Sequence, residues 1–242
     1  IIRINNIMKV SIIIPCYNEQ STIKEIIYKI NSQSNIEKEI IVIDDFSNDK
    51  TREILEKDLK NSIHKIILNE RNYGKGYSIK KGIESASGDC IIIQDADLEY
   101  DPTDYKKLLD PIINDVADVV YGSRFIGTSE RRVLYFWHTI GNKLLTLLSN
   151  IFSNLNLTDM EVGYKVFKSN VLKDINLVEN RFGFEPEVTA KIAKKNIRIY
   201  EVGISYFGRK YSEGKKITWK DGFSAIRCCL LYTSPSPRDG RI

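Results

Sequence analysis

Apolar residues along this chain fall into two periods. Short unbroken runs occur at VSIII (10–14), EIIVID (39–44), HKIIL (64–68), DCIIIQ (89–94) and ADVVYG (117–122). Between them, apolar positions recur every three or four residues. The runs read as strands covered on both faces, and the spaced stretches as helices. Helices are expected from about Ser21 to Ser32, Asn48 to Leu59 and Gly76 to Ala86. A further helical pattern, Leu134 to Leu155, is dense in Leu, Phe, Trp and Ile. Glu185 and Glu187 open another, with Pro186 in its first turn. Strands separated by helices predict an α/β fold: a mainly parallel sheet flanked by helices, in a single domain. Right-handed crossovers then bring the strand C-terminal ends to one edge, where such sheets bind ligands.

Each of the first four strands ends in a polar cluster: Pro15-Cys16-Tyr17-Asn18-Glu19, Asp44-Asp45-Phe46-Ser47, Asn69 to Gly76, and Asp95-Ala96-Asp97. On an extended segment, residues i and i+2 point the same way. Asp95 and Asp97 can therefore face one hard cation, Mg²⁺ or Mn²⁺, which takes one or two carboxylates and completes its shell with water and phosphate oxygens. Gly74-Lys75-Gly76 opens a helix and could approach an anion with its backbone, helped by Lys75 and Arg71. Asp45, after the second strand, can accept from a base or ribose. It can equally belong to the cap of the next helix. The ligand implied is a nucleoside diphosphate carrying a further group.

Composition narrows the setting. The chain has 242 residues, 42% hydrophobic, with a net charge of +4. That charge is too small to argue for nucleic acid, and none is expected as a partner. Cys16, Cys90, Cys228 and Cys229 show no metal-ligand spacing and read as reduced thiols of a cytosolic protein. No uncharged apolar run reaches the ~18 residues of a membrane span. Ile1 to Ile7 and residues 230–242, which include SPSPRDGRI, read as foreign or disordered ends around a domain at 8–229.

Read together, IIIPCYNEQSTI, VIDDFSNDKT, NYGKGYSIKKGIESASGD and QDADLEYDP resemble the inverting family 2 glycosyltransferases of GT-A fold. YGSRFIG, LTDMEVGYKVF, FGFEPEVTAKIAK and GISYFGRKYSEGKKITWKDG extend the likeness from about Met8 to Arg227. They favour the branch that transfers a sugar from a nucleotide sugar to a polyprenyl phosphate, the dolichyl-phosphate mannosyltransferase-like enzymes. The resemblance implies that Pro15, Tyr17, Glu19 and Asp45 line the nucleoside site. It places Lys75 near ribose or phosphate, Asp95 and Asp97 on the metal with Gln94 beside them, and Arg124 near sugar or phosphate. Asp159 falls near metal or sugar, and Arg209, Lys215 and Lys216 face the acceptor phosphate. Asp97, Asp159 and Arg124 are the catalytic candidates. One departure stands out. Val162-Gly163-Tyr164-Lys165 replaces a Ser/Thr-Gly-Phe/Tyr-Arg pattern, so a lysine supplies charge without the guanidinium fork.

Inverting transfer needs a stabilised leaving group, an in-line nucleophile and charge relief. A hydroxyl acceptor needs a carboxylate base, with Asp159 or Glu161 as candidates. A phosphate acceptor is already an anion and needs a cationic cradle. Five basic residues and one acidic residue lie between Arg209 and Lys220. Two acceptor classes therefore stay open, lipid phosphate or a saccharide or protein hydroxyl. A nucleotidyltransferase would want a glycine-rich loop after the first strand, which PCYNEQ lacks. A non-catalytic binding module would not need Asp95 and Asp97. The 134–155 helix packs on the core or lies at a membrane interface. Peripheral contact with the cytoplasmic face of a membrane is the expectation that goes with a lipid acceptor.

Overall fold

The computed structural model describes residues 8–127, 132–133, 135–209 and 219–232. Its centre is a sheet of seven strands in the order β3-β2-β1-β4-β6-β5-β7. β1 (Lys9–Cys16), β2 (Glu37–Asp44), β3 (Lys65–Leu68), β4 (Cys90–Ile93) and β5 (Val119–Ser123) are the five runs read from the sequence. Ile12, Ile13, Ile14, Ile40, Val42, Ile91 and Ile92 have no exposed surface, as expected for strands covered on both sides. α1 (Ile23–Asn31) buries Ile23, Ile26, Ile27 and Ile30 as one stripe on that sheet. α3 (Lys75–Ser85) approaches more closely. A Cβ at Gly82 would lie 2.4 Å from Ile13 Cγ2, so only glycine lets this helix seat. The helix expected over 48–59 is split into α2 (Thr51–Glu53) and a wider π turn over Ile54–Asp58.

α4 (Tyr105–Ile113) is a helix not anticipated, entered by a 3₁₀ turn at Pro102–Asp104 and carrying Pro111 near its end. Two strands also escaped the sequence reading: β6 (Lys165–Lys168) and β7 (Ile199–Gly203). β6 is only four residues long, begins and ends in lysine, and pairs antiparallel with both β4 and β5. β7 is half exposed and runs parallel to β5. α5 (Phe136–Ser153), α6 (Ser169–Lys173), α7 (Phe184–Ala193) and α8 (Trp219–Tyr232) complete the fold. α8 runs past Cys229 to Tyr232, whose hydroxyl donates to Glu179 at 3.0 Å.

The connections place the site. β1 leads to β2 on one side, whereas the chain from β3 through α3 crosses to β4 on the other. The crossover reverses between β1 and β4, and their C-terminal ends flank the crevice where open α/β sheets bind ligands. Because β6 is antiparallel to β4, with Ile93 opposite Lys165, the loop before β6 also reaches this edge. The loop after β7 arrives beside β5 at the same edge.

Candidate active site

A cavity of about 790 Å³ opens along that edge. Of the residues singled out in the sequence, Pro15, Tyr17, Glu19, Asp45, Lys75 and Asp95 line it, as do Asp97, Arg124 and Arg209. Lys215 and Lys216 lie outside the described residues.

Asp95 and Asp97 leave β4 into the cavity. Lys75 Nζ sits 2.8 Å from Asp95 Oδ1 and 3.0 Å from Glu185 Oε1. Arg209 Nη2 sits 2.9 Å from Asp97 Oδ2. Burial, then the charges of Asp95 and Glu99, push the Asp97 carboxyl up to about 7 against the pull of Arg209. Carboxylates crowded this way are suited to a hard cation. Among the described residues no group of three or more His, Cys, Asp or Glu side chains forms a ready metal cage. Two carboxylates beside an open cavity fit Mg²⁺ or Mn²⁺ that takes its other ligands from water and a diphosphate. The loop before β6 makes room for this pair. A Cβ at Gly163 would lie 2.4 Å from Asp95 Oδ2, and the Gly163 N–H donates to the Tyr100 hydroxyl at 3.0 Å.

Four expectations are corrected by the geometry. Gln94 does not face the cavity. It is fully buried, and its Oε1 accepts the hydroxyls of Tyr105, at 2.8 Å, and Tyr164. It therefore braces the floor under Asp95. Asp159 is fully buried as well, and both its oxygens are spent on Arg124. Arg124 Nη2 donates to Oδ1 at 2.7 Å, Nε to Oδ2 at 2.7 Å and the backbone N–H to Oδ2 at 3.0 Å. With three hydrogen bonds from one arginine, this carboxylate serves to fix a guanidinium. The third concerns the turn into α3: Asp45 lines the cavity, and its carboxylate at the same time accepts the Tyr73 N–H at 2.9 Å, the Gly74 N–H at 2.7 Å and Asn69 Nδ2 at 2.9 Å. The N-terminus of α3, read as a phosphate cradle, is thus filled by the protein's own anion. Tyr77 N–H is also taken, by Asn180 O at 3.0 Å. Lastly, Lys165 brings no charge to the cavity. It is fully buried, and its Nζ donates to the carbonyls of Met160, at 3.0 Å, and Val162, tying the loop that carries Gly163.

Glu161 and Glu185 gain weight over the sequence reading. Both line the cavity, and Glu161 Oε1 and Glu185 Oε2 are buried with no hydrogen-bond partner among the described residues. Burial and the charge of Glu185 hold Glu161 well above the usual carboxylate range, with Lys165 and Arg124 pulling it down. Glu99 was not singled out either. Its Oε1 accepts the Arg209 N–H at 2.7 Å, and its Oε2 the Tyr206 hydroxyl at 3.1 Å. Its only sequence signal was its place just after the aspartate pair.

Residues 11–175 match the domain described as Glycosyl transferase family 2. The chain belongs to that family. It is 28% identical over 211 residues to the dolichol-phosphate mannosyltransferase of Pyrococcus furiosus, covering 86% of this chain and 59% of that protein. It is 31% identical over 171 residues to the UDP-N-acetylglucosamine–dolichyl-phosphate N-acetylglucosaminyltransferase of Methanococcus voltae, 68% of each. The chain thus spans about three-fifths to two-thirds of the length of these relatives. Among solved structures it is similar to glucosyl-3-phosphoglycerate synthase from Mycobacterium tuberculosis in complex with Mn²⁺, UDP and glucosyl-3-phosphoglycerate. The TM-score there is 0.72 at 18% identity, over 93% of this chain and 80% of that one. That likeness fixes the GT-A fold.

Proposed function

We propose that this glycosyltransferase moves a hexose from a UDP- or GDP-sugar to a polyprenyl phosphate at a membrane surface, with inversion and with Mg²⁺ or Mn²⁺. One observation carries the acceptor assignment. The cavity that begins at Asp95 and Asp97 continues to Tyr135, Trp137, His138 and Leu145 on and beside α5. That helix wears its apolar side outward. Phe136, Trp137, Leu144, Leu147 and Ile151 are exposed, Trp137 at 79%, while its buried residues are Thr146 and Ser149. Such a face suits the headgroup boundary of a bilayer, which supports a lipid acceptor reaching the carboxylates. No helix among the described residues is long and apolar enough to cross a membrane, and the proposed contact is made through the α5 face. The names of the Pyrococcus and Methanococcus relatives agree with a lipid-phosphate acceptor.

Asp95 and Asp97 would hold a divalent cation, which would supply charge neutralisation to the diphosphate leaving group. The chain's own residues do the rest. Arg124, locked by Asp159, presents a fixed cation toward the cavity, where preorganised charge acts best. Pro15, Tyr17 and Glu19 form the nucleoside side of the cavity. Arg209, on the cavity beside Asp97, adds a cation within reach of a bound phosphate. A phosphate monoester needs no base, and Asp159 has none to offer. The second reading, transfer to a hydroxyl, has a specific candidate in Glu161, whose raised proton affinity suits a general base.

Labelled nucleotide sugars with vesicles carrying polyprenyl phosphate test the assignment. Transfer to the lipid, with the protein floating on anionic vesicles, is the expected result. Transfer only to free saccharide, with no vesicle binding, overturns the lipid reading and leaves Glu161 as base.

A further inference from the structure

Both aspartates that leave β4 are held by cations of the chain itself, but the two cations are seated differently. Lys75 is buried between two carboxylates, Asp95 at 2.8 Å and Glu185 at 3.0 Å. Arg209 divides its guanidinium. Nη2 donates to Asp97 Oδ2 at 2.9 Å, while Nη1 and Nη2 reach Glu19 at 3.2 and 3.3 Å. Its Nε is buried without a hydrogen bond among the described residues, 3.9 Å from Glu99 Oε1. Arg124 offers the contrast, with two 2.7 Å bonds to a single carboxylate. Arg124 is fixed, whereas Arg209 has a divided, incompletely satisfied seat on the oxygens that a divalent cation needs.

We infer that Arg209 is an exchange cation for the metal. Its guanidinium holds Asp97 until a divalent cation arriving with a diphosphate takes that carboxylate, and then turns to phosphate oxygens. The inference rests on the metal-dependent reading above and adds a positioning role within it. Charge favours the order of events. Asp95, Asp97 and Glu99 leave one short segment together, so they carry a counter-ion at every stage. The arriving diphosphate in turn offers a guanidinium a better partner than a shared carboxylate. Arg209 is also tethered through its backbone. The Arg209 N–H donates to Glu99 Oε1 at 2.7 Å and the Phe207 N–H to Glu99 O at 2.9 Å. The exchange therefore pulls on the segment between β7 and Arg209.

The test reads Mn²⁺ binding rather than turnover. Mn²⁺ affinity is measured by electron paramagnetic resonance, with and without UDP, in the wild type and in Arg209→Gln. If Arg209 covers Asp97 about nine-tenths of the time, the wild-type apparent affinity is weakened about tenfold, and Arg209→Gln recovers that factor. Hydrogen exchange is followed in parallel on the wild type, where adding Mn²⁺ and UDP is expected to expose the amides of Phe207 and Arg209. This arm stands even if the variant folds poorly. Unchanged or weaker Mn²⁺ binding in Arg209→Gln overturns the inference. Tighter binding with unchanged amide protection also overturns it, because loss of a positive charge would then be the whole effect. If the wild type binds UDP and Mn²⁺ but shows neither change, the exchange fails and the glycosyltransferase reading stands. If it binds neither, both fall.

Discussion

Asp159→Ala separates a braced guanidinium from a free catalytic base. Asp159 has no exposed side-chain surface, and Arg124 keeps only 10% of its own. Three hydrogen bonds join them. Counted singly at about 1.5–3 kcal/mol for charged pairs, they would sum to more than a buried pair is worth, because such bonds are not additive. Removing one partner of a buried pair costs about 3–5 kcal/mol, chiefly because the other charge is left uncompensated. For a domain of this size, 1 kcal/mol moves Tm by about 2–4 °C, so a fall of roughly 6–20 °C is expected. Asp159→Asn, which keeps volume and one acceptor, should lose less. Arg124→Leu combined with Asp159→Leu should recover part of the stability while remaining inactive, since the cavity loses its fixed cation. Calorimetry and urea titration of the two single variants and the pair give the coupling energy. A coupling below about 1 kcal/mol, or an Asp159→Asn protein that keeps its Tm within about 2 °C yet loses all transfer, would refute the brace and return Asp159 to the chemistry.

Gly163→Ala is expected to cost about 1–3 kcal/mol in overpacking and, more tellingly, to weaken Mn²⁺–UDP binding, because its Cβ would sit 2.4 Å from Asp95 Oδ2; wild-type metal affinity in that variant would disprove the close fit. Glu39 predicts an acid limb of stability. Burial pushes its carboxyl up, but hydrogen bonds from Ser11 and Ser87, with Lys9 beside it, outweigh this and hold it at about 2 against an ordinary 4.5. A carboxyl depressed in the fold stabilises above its unfolded value, and that contribution fades as pH falls from about 4.5 toward 2. Urea unfolding over that range should therefore be flatter in Glu39→Gln, and an identical slope would count against the assignment.

The sequence by itself determined the parts whose physics is local. Short unbroken runs of β-branched isoleucine and valine between turn residues favour strands covered on both faces, so β1, β2 and β4 were legible along with the α/β class. The spacing of Asp95 and Asp97 pointed both carboxylates to one place, and both line the cavity, although β4 ends at Ile93 and Asp97 sits in the turn beyond it. Apolar density in 134–155 announced α5, and the structure turned that density outward.

Tertiary structure decided which polar residues are free to act. Asp45 and Asp95 look alike in sequence, each an aspartate at a strand end. Both line the cavity, but one accepts the backbone amides of the 73–74 turn and the other faces Lys75. Gln94 and Asp159 sit within motifs that suggested substrate contact, but their partners are Tyr164 and Arg124, brought from 70 and 35 residues away. β6 and β7 were hidden for a related reason. A four-residue strand flanked by lysines has no period to read, and it becomes a strand only because β4 and β5 leave a gap that its backbone can bridge. Hydrogen-bond donors and acceptors are satisfied by whatever the fold brings within 3 Å or so. Their identity is written in the sequence, and whether they are already satisfied is written only in three dimensions.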